Sequence, residues 1–181
     1  DLETMIIEIP ERQEGGGLGY PAIQTILSGM ELLGILISGK ESWDAYEIFW
    51  SNYLEKFFPE YMGLKDIFRK NIRHGTAHFY LVRSGISLSK SESNHLQTII
   101  AKDGNEYLNI DLKVMLQHFL FCYDKIRNDA LQKSDRYWPG FSKLFDEINK
   151  DKEIIFQFIK IISSKAQAPS GFPKAVVAGA R

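Results

Sequence analysis

The sequence has very little cysteine: Cys122 is the only one among 181 residues. A single thiol excludes an intrachain disulfide framework and a zinc site made of four thiolates, and it fits a reducing compartment. We therefore expect a cytoplasmic protein. Because Cys122 lies in an apolar stretch with helical spacing, we expect its thiol to be buried and unreactive.

The sequence also has almost no net charge. Twenty-two Lys and Arg side chains stand against 23 Asp and Glu side chains, which gives a formal charge of −1. This balance excludes proteins that coat polyanions through an overall positive charge. Any contact with nucleic acid is therefore expected to be local.

Long uninterrupted apolar runs are missing as well. The longest, Ile35 to Ser38 with its flanks, is bounded by Gly34 and Gly39 and falls far short of the roughly 18 residues that a membrane span needs. The first residues, 1–4, lack the basic start and the cleavage site of a secretory signal. We expect no membrane span and no association with a membrane.

Apolar and aromatic residues are abundant, at 44% and 13% of the chain, which is enough for one good core. Three- and four-residue apolar spacing predicts a helical bundle. The helices expected from this spacing cover 21–38, 43–58, about 64–75, a long segment after Asp111, and 141–163. Helix boundaries are predicted from Pro21, Gly39, Ser42, Pro59 and Asp111, and from Pro139-Gly140, which is expected to separate the last two helices.

One region changes period. Residues 79–110 are rich in alternation and in β-branched side chains, and Asp103-Gly104 lies between two such runs. This dipeptide is typical of a two-residue type I′ hairpin turn. The sequence therefore predicts a mainly α fold, a helical bundle with a small antiparallel β-hairpin or sheet inserted at about 79–110.

The domain organisation follows from these segments. We predict an N-terminal segment with a glycine-rich linker over 1–20, a single helical domain over 21–165, and a loose tail over 166–181. The linker glycines at 15–17 and 19 could also cradle a phosphate, but no Lys-Ser/Thr pair follows them, which favours the linker. Gly29 and Gly34 lower the helix propensity of the first helix and predict close approach of a neighbouring helix or of a second subunit.

The stretch around residues 65–90 carries the strongest chemical signal. It contains six Lys and Arg residues and one acid, Asp66, and it includes Arg73, His74 and His78. Arg can hold a phosphate with two parallel hydrogen bonds, and His exchanges protons near neutral pH. For RNA, whose 2′-hydroxyl is an internal nucleophile, such a pair needs no metal ion in principle.

The run Arg73-His74-Gly75-Thr76-Ala77-His78 resembles the Arg, polar residue, three further residues, His motif of HEPN domains, the higher eukaryote and prokaryote nucleotide-binding superfamily. The preceding helices, with Met30-Glu31-Leu32-Leu33-Gly34 and Phe49 and Tyr53, are similar to those of bacterial HEPN-like proteins. The resemblance covers about residues 20–80.

This resemblance implies a metal-independent endoribonuclease, a toxin or a defence effector, with no cofactor. It implies that Arg73 binds the scissile phosphate, that His78 is the general acid or base, and that His74 is the polar orienting residue. It also implies RNA as substrate, a homodimer with a composite site, and a possible antitoxin or other protein partner. Glu31, Arg69 and Lys70 would support the site. The alternative is a catalytically inactive helical module that binds a nucleotide, RNA or a protein.

Simpler interpretations of the same residues stay open. Arg73 could be an ordinary helix-terminal charge and His78 a histidine hydrogen-bonded to a backbone carbonyl. His74 and His78 have the i, i+4 spacing of a metal pair, but the adjacent Arg73 disfavours a cation. Glu31 could orient Arg73 or His78, or form a plain buried ion pair. His95 and His118 are expected to lie in a loop and on a helix face, and the aromatic stripe is expected to be core.

Overall fold

The computed structural model describes residues 2–8, 19–40, 42–74 and 85–166. This part of the chain is mainly helical and carries a small three-stranded sheet, so the predicted fold class is confirmed at that level. Contacts divide the chain into two compact units, Asp1–Lys143 and Leu144–Arg181. The first unit holds the sheet and the residues discussed below as a candidate site.

Helix α1, Gly19–Ser38, is the central helix of the first unit. Gly39 ends it with a φ of +65°, a conformation that glycine adopts without strain. By length and composition α1 could also cross a membrane, although the interrupted run predicted no span. Core helices of soluble proteins pass the same test, and one face of α1 is fully buried in the core, through Ala22, Ile23, Ile26, Leu27 and Met30.

Two further helices follow with wide turns in them. Helix α2 covers 42–57 and consists of Ser42–Phe49, a π-helical turn at Trp50–Leu54, and Glu55–Phe57. A 3₁₀ turn at Pro59–Tyr61 leads to helix α3, 65–73, which is α-helical at Lys65–Ile67 and π-helical at Phe68–Arg73. Their aromatic side chains form much of the core, as expected: Tyr46, Phe49, Trp50, Tyr61 and Phe68 are buried.

Two glycines of α1, Gly29 and Gly34, pack against other parts of the same chain. A Cβ at Gly34 would overlap the Ala45 carbonyl of α2, and one at Gly29 would lie 2.7 Å from the Phe119 ring. The small residues therefore allow close approach of neighbouring helices, which is one of the two predicted reasons for them. This packing accounts for both glycines without a second subunit.

The sheet is mixed rather than antiparallel, which corrects the prediction. Its strands are β1, Ile86–Ser89, β2, Gln97–Ile100, and β3, Glu106–Asp111, in the order β1-β3-β2. β2 pairs antiparallel with β3, whereas β1 pairs parallel with β3, with Ile86 opposite Leu108. A parallel pair needs a long connection, and here residues 90–105, which include β2, provide it. Alternation in the sequence carries no information on strand direction.

The β2–β3 turn lies where Asp103-Gly104 predicts it, but it is not a two-residue type I′ turn. Ala101 N–H donates to Asn105 O over 3.0 Å, and Gly104 N–H donates to Ala101 O over 2.9 Å. Type I′ requires positive φ at both central residues, whereas only Gly104 is positive here, at +80°. The loop therefore has three residues, with glycine at the left-handed position.

Helix α4, Leu112–Gln132, begins as predicted at Asp111, whose carboxylate accepts hydrogen bonds from Lys113 N at 3.0 Å and Val114 N at 3.2 Å. Helix α5, Ser134–Ala166, begins before Pro139-Gly140, so the predicted break at this dipeptide is wrong. The break lies at Lys133, where φ is −135° and ψ is 56°.

Pro139-Gly140 has a packing role instead of ending a helix. Pro139 is the sixth residue of α5, and because it has no N–H it removes the intrahelical hydrogen bond to the Asp135 carbonyl. A Cβ at Gly140 would overlap the carbonyl oxygens of Ile35 and Leu36 in α1. The dipeptide thus lets α5 begin in direct contact with the end of α1, where Lys143 also donates to Gly39 O over 3.1 Å.

The N-terminal segment takes part in the core. Residues Thr4–Glu8 form a π-helical turn, and Ile6 is fully buried. The glycines at 15–17 and the predicted tail beyond Ala166 lie outside the described residues.

Candidate functional site

The sequence-predicted site lies in part on α3. Arg73 ends the π-helical stretch Phe68–Arg73, and His74 follows it. The backbone N–H of His74 donates to Arg69 O, and its side chain is exposed. His78 lies outside the described residues. The approach of Arg73 to His78 therefore stays a prediction.

Glu31 of α1 forms an ion pair with Arg73, in which Arg73 Nη2 donates to Glu31 Oε2. The Arg73 side chain is 26% exposed and the Glu31 side chain is 19% exposed, so the pair is partly buried. A lone carboxylate on an apolar helix is costly to desolvate unless a partner compensates it. The structure thus pairs Glu31 with Arg73, and the use of this pair in orienting a catalytic group stays a prediction.

Most of the local positive charge near α3 has acidic partners. Lys65 pairs with Glu47 of α2, and Lys70 lies 3.7 Å from Asp66 on its own helix. Glu31 and Glu47 lie outside the stretch 65–90, so they reduce its excess of positive charge by two, whereas Asp66 already belongs to it. Two of the three partners come from helices distant in sequence, so counting charges along the chain could not reveal them.

Arg69 is placed differently, against an aromatic ring. Its guanidinium carbon lies 3.5 Å from the centroid of the Trp43 ring, and its side chain is exposed. The buried Tyr46 ring stacks on the same indole, with centroids 5.0 Å apart. A stack of planar groups therefore leads from the core at Tyr46 to the surface at Arg69.

Tyr46 is also the site of an unusual buried hydroxyl. Within the described part of the chain this fully buried Oη has no hydrogen-bond partner. Burial raises the pKa of Tyr46 well above its usual value, and the positive charge of Arg73 acts in the opposite direction. The phenol is therefore neutral and lies within the electrostatic reach of Arg73.

A second cluster of titratable groups was not predicted as a site. Tyr61 Oη lies 2.8 Å from His95 Nε2 and 3.2 Å from His118 Nδ1. His118 Nε2 is 3.9 Å from Glu60 Oε1, and the Phe58 ring stacks on His118 at 3.8 Å between centroids. The 3₁₀ turn at Pro59–Tyr61 brings together a loop histidine and a helix-face histidine, the locations expected for each.

The hydrogen-bond partners assign the protons of this cluster. Asp111 N–H donates to His95 Nδ1 over 3.1 Å, so the neutral His95 ring carries its hydrogen on Nε2 and donates it to Tyr61 Oη. The Tyr61 hydroxyl is then free to donate to His118 Nδ1. His118 in turn has its N–H at Nε2, on the side of Glu60. The result is a series of hydrogen bonds that all donate in one direction, from Asp111 of the sheet through His95 and Tyr61 to His118 of the bundle.

Burial favours the neutral histidines that this series of hydrogen bonds requires. Burial, followed by the neighbouring His118, lowers the pKa of His95 to about 4. Burial also lowers the pKa of His118, against the opposing effect of Glu60. No periodicity or motif could have revealed the cluster, because its members are brought together only by the packing of the sheet against the bundle.

Other chemistry expected from the sequence can be located as well. Cys122 is buried, as predicted, and burial raises the pKa of its thiol to about 12, which disfavours the nucleophilic thiolate. Within the described ranges, no three His, Cys, Asp or Glu side chains are grouped so as to hold a metal ion. Comparison of the chain with protein-family models, curated proteins and solved structures finds no significant match.

Proposed function

We propose that this protein is a HEPN-like, metal-independent endoribonuclease that acts as a cytoplasmic homodimer. In this proposal Arg73 binds the scissile phosphate, His78 transfers the proton, and His74 orients the reacting groups. RNA is the substrate, and a toxin or defence role with an antitoxin or other protein partner follows from the same resemblance.

The observation that carries the proposal is the Glu31–Arg73 ion pair. The carboxylate restricts a guanidinium that would otherwise sample many rotamers, while about a quarter of the Arg73 side chain remains exposed to a ligand. A guanidinium fixed in one orientation presents its N–H donors in one plane, which suits bidentate recognition of a phosphate. The basic groups of α3, Arg69 and Lys70, lie on the same short helix, where they support phosphate binding.

The chemistry needs only groups of the RNA and of this chain. The 2′-hydroxyl attacks the adjacent phosphorus as a base removes its proton, and the leaving 5′-oxygen takes up a proton from an acid. Arg73 would offset the negative charge that develops on the phosphate oxygens. The products are a 2′,3′-cyclic phosphate and a free 5′-hydroxyl.

The second candidate is an inactive module that binds RNA, a nucleotide or a protein. The acidic partners of Lys65 and Lys70 favour its protein-binding form, because they reduce the positive charge available for phosphate. The two candidates differ in one observable, the breakage of RNA.

The deciding experiment incubates the full chain with labelled single-stranded RNA in EDTA. We expect cleavage to 2′,3′-cyclic phosphate ends and no cleavage of DNA of the same sequence, which lacks the nucleophile. His78→Ala should slow cleavage by about 10²- to 10⁴-fold, the usual contribution of a general acid or base. Arg73→Lys should also be slow, because a point charge cannot reproduce the planar contact.

The matched control is Lys70→Gln, which removes a positive charge from the same helix without touching the predicted motif. It should weaken RNA binding but leave the maximal cleavage rate much closer to that of the wild type than His78→Ala does. Circular dichroism establishes that each variant is folded. Absence of cleavage by the wild type across varied RNAs, or equal rates in wild type, His78→Ala and Arg73→Lys, would replace the nuclease with the binding module.

A further inference from the structure

A groove of about 430 Å³ opens beside Trp43 and Arg69, between α2 and α3. Its volume falls in the range of small-ligand sites. Trp43 and Arg69 line one part of it, and the remaining polar lining comes mainly from Glu47, Glu55, Lys65 and Asp66. Of its lining residues, the function proposed above uses only Arg69, as a positive charge that supports phosphate binding.

The charges of the groove disfavour a phosphate as its occupant. Three carboxylates line it against two cations, and one of these cations, Lys65, is already paired with Glu47. A phosphate placed there would face a net negative surface, which repels it. A neutral ligand that donates hydrogen bonds is favoured instead, because each carboxylate offers about four lone-pair positions and keeps some after pairing with a cation.

The planar groups of the groove select a flat ligand. The exposed Arg69 guanidinium is the outer member of the stack that begins at Tyr46 and continues through Trp43. Guanidinium planes and aromatic rings are the surfaces on which proteins stack the unpaired bases of RNA. A flat ring with amino donors at its edge fits both properties of the groove.

Arg69 and Arg73 are four residues apart on α3 and are therefore neighbours on its surface. Their separation is close to one turn of this π-helical stretch, so a nucleotide bound at Arg69 can present its adjacent phosphate to Arg73. The groove thus lies where the substrate of the proposed nuclease would continue.

We propose that the groove between Trp43 and Arg69 is a nucleobase subsite, which stacks one amino-bearing base of single-stranded RNA on the Arg69 guanidinium. The proposal rests on the proposed function for the identity of the polymer. It assigns recognition of the base to Arg69, with Glu47 and Asp66 as acceptors of the exocyclic amino group.

The test uses binding and not cleavage, so that it stands apart from the nuclease reaction. The probes are a fluorescein-labelled 2′-O-methyl oligoadenylate, which has no free 2′-hydroxyl to attack the phosphate, and an abasic oligonucleotide of the same length and charge. Fluorescence anisotropy gives the dissociation constant of each with the full chain. Arg69→Lys keeps the charge and removes the plane, and Lys70→Gln removes a neighbouring charge and no ring contact.

We expect Arg69→Lys to weaken binding of the adenine probe at least about fivefold, the lower end of what one stacked base contributes. Binding of the abasic probe should be unchanged by Arg69→Lys, and Lys70→Gln should weaken both probes to the same extent. Equal effects of Arg69→Lys on both probes, no effect on either, or no binding of the adenine probe by the wild type would overturn the subsite. A base-dependent effect in a protein that cleaves no RNA would sustain the subsite and reject the nuclease.

Discussion

Side chains in this molecule are held by neighbours that lie at very different distances along the chain. Asp111 as a helix cap, Gly39 as a helix end and Cys122 as a buried thiol were predictable, because each depends on neighbours within a few positions. The Glu31–Arg73 pair could be anticipated only as a lone charge in need of a partner. The hydrogen bonds of Tyr61 with His95 and His118 could not be predicted, since these partners lie 34 and 57 positions away in the sequence.

The buried histidines make stability depend on pH. In the folded protein the pKa of His95 is lowered to about 4, whereas an unfolded His titrates near 6.5. The unfolded chain therefore binds a proton first as the pH falls, which favours unfolding. The free energy of unfolding should have the full His95 contribution above about pH 6.5 and lose it progressively between about pH 6.5 and pH 4.

This prediction is checked by urea unfolding at several pH values for the wild type and His95→Gln. Gln does not titrate, so the variant should be less stable at pH 8 and should lose less stability on acidification. Comparison of the two proteins cancels the titration of the carboxylates, which is common to both. Parallel stability curves over the whole pH range would show that His95 carries no such effect.

Secondary-structure elements were predictable where burial sets their period. The sequence pattern places both bounds of α1 and α2 within a few residues, and it does the same for the starts of α3 and α4. It fails at Pro139-Gly140, because the dipeptide serves the contact with Ile35 and Leu36 and not the end of a helix. It also fails for the direction of β1, since parallel and antiparallel strands alternate in the same way.

The crossing of α1 and α2 gives a test at this scale. In Gly34→Ala the new methyl group meets the Ala45 backbone, which cannot rotate away, so the helices must move apart. Overpacking of this kind costs about 1–3 kcal/mol and sometimes more, which exceeds the roughly 1 kcal/mol that Ala gains over Gly in helix propensity. We expect a lower free energy of unfolding in urea.

Gly29→Ala is the matched control on the same helix. Its methyl group meets only the Phe119 ring, a side chain that can rotate, at 2.7 Å from the nearest atom. The gain in helix propensity should offset most of the cost, so this variant should stay closer to the wild type. A Gly34→Ala protein as stable as Gly29→Ala would contradict the backbone contact between α1 and α2.

At the scale of the whole molecule, the sequence supports a fold class more securely than an assembly. A helical core with an inserted sheet follows from period and composition, and the described chain agrees. A composite site depends on how two copies of the chain pack against each other, and the sequence of one copy does not specify that packing. Gly29 and Gly34 predicted either a helix contact or a subunit contact. In the structure they pack against Phe119 and Ala45 of the same chain.

The dimer stays a prediction, and of the contacts expected for it we keep the one at the Arg73 to His78 stretch. Because the two glycines are covered, we expect a two-fold contact around Arg73 and the residues that follow it, as a composite site requires. Sedimentation velocity on the full chain at tens of micromolar should give a species of twice the monomer mass. A monomer at all these concentrations would count against a shared active site and would leave the binding of RNA to a single chain.

The carboxylate of Asp111 has a consequence for the way the molecule opens. One of its oxygens holds the first N–H groups of α4, and the other holds Ser89 Oγ at 3.0 Å and Glu92 N at 2.8 Å, at the end of β1. Separation of the sheet from the start of the helix would break hydrogen bonds to this buried carboxylate. Transient excursions from the native state should therefore release both together, so the sheet and the start of α4 form one cooperative unit of local unfolding.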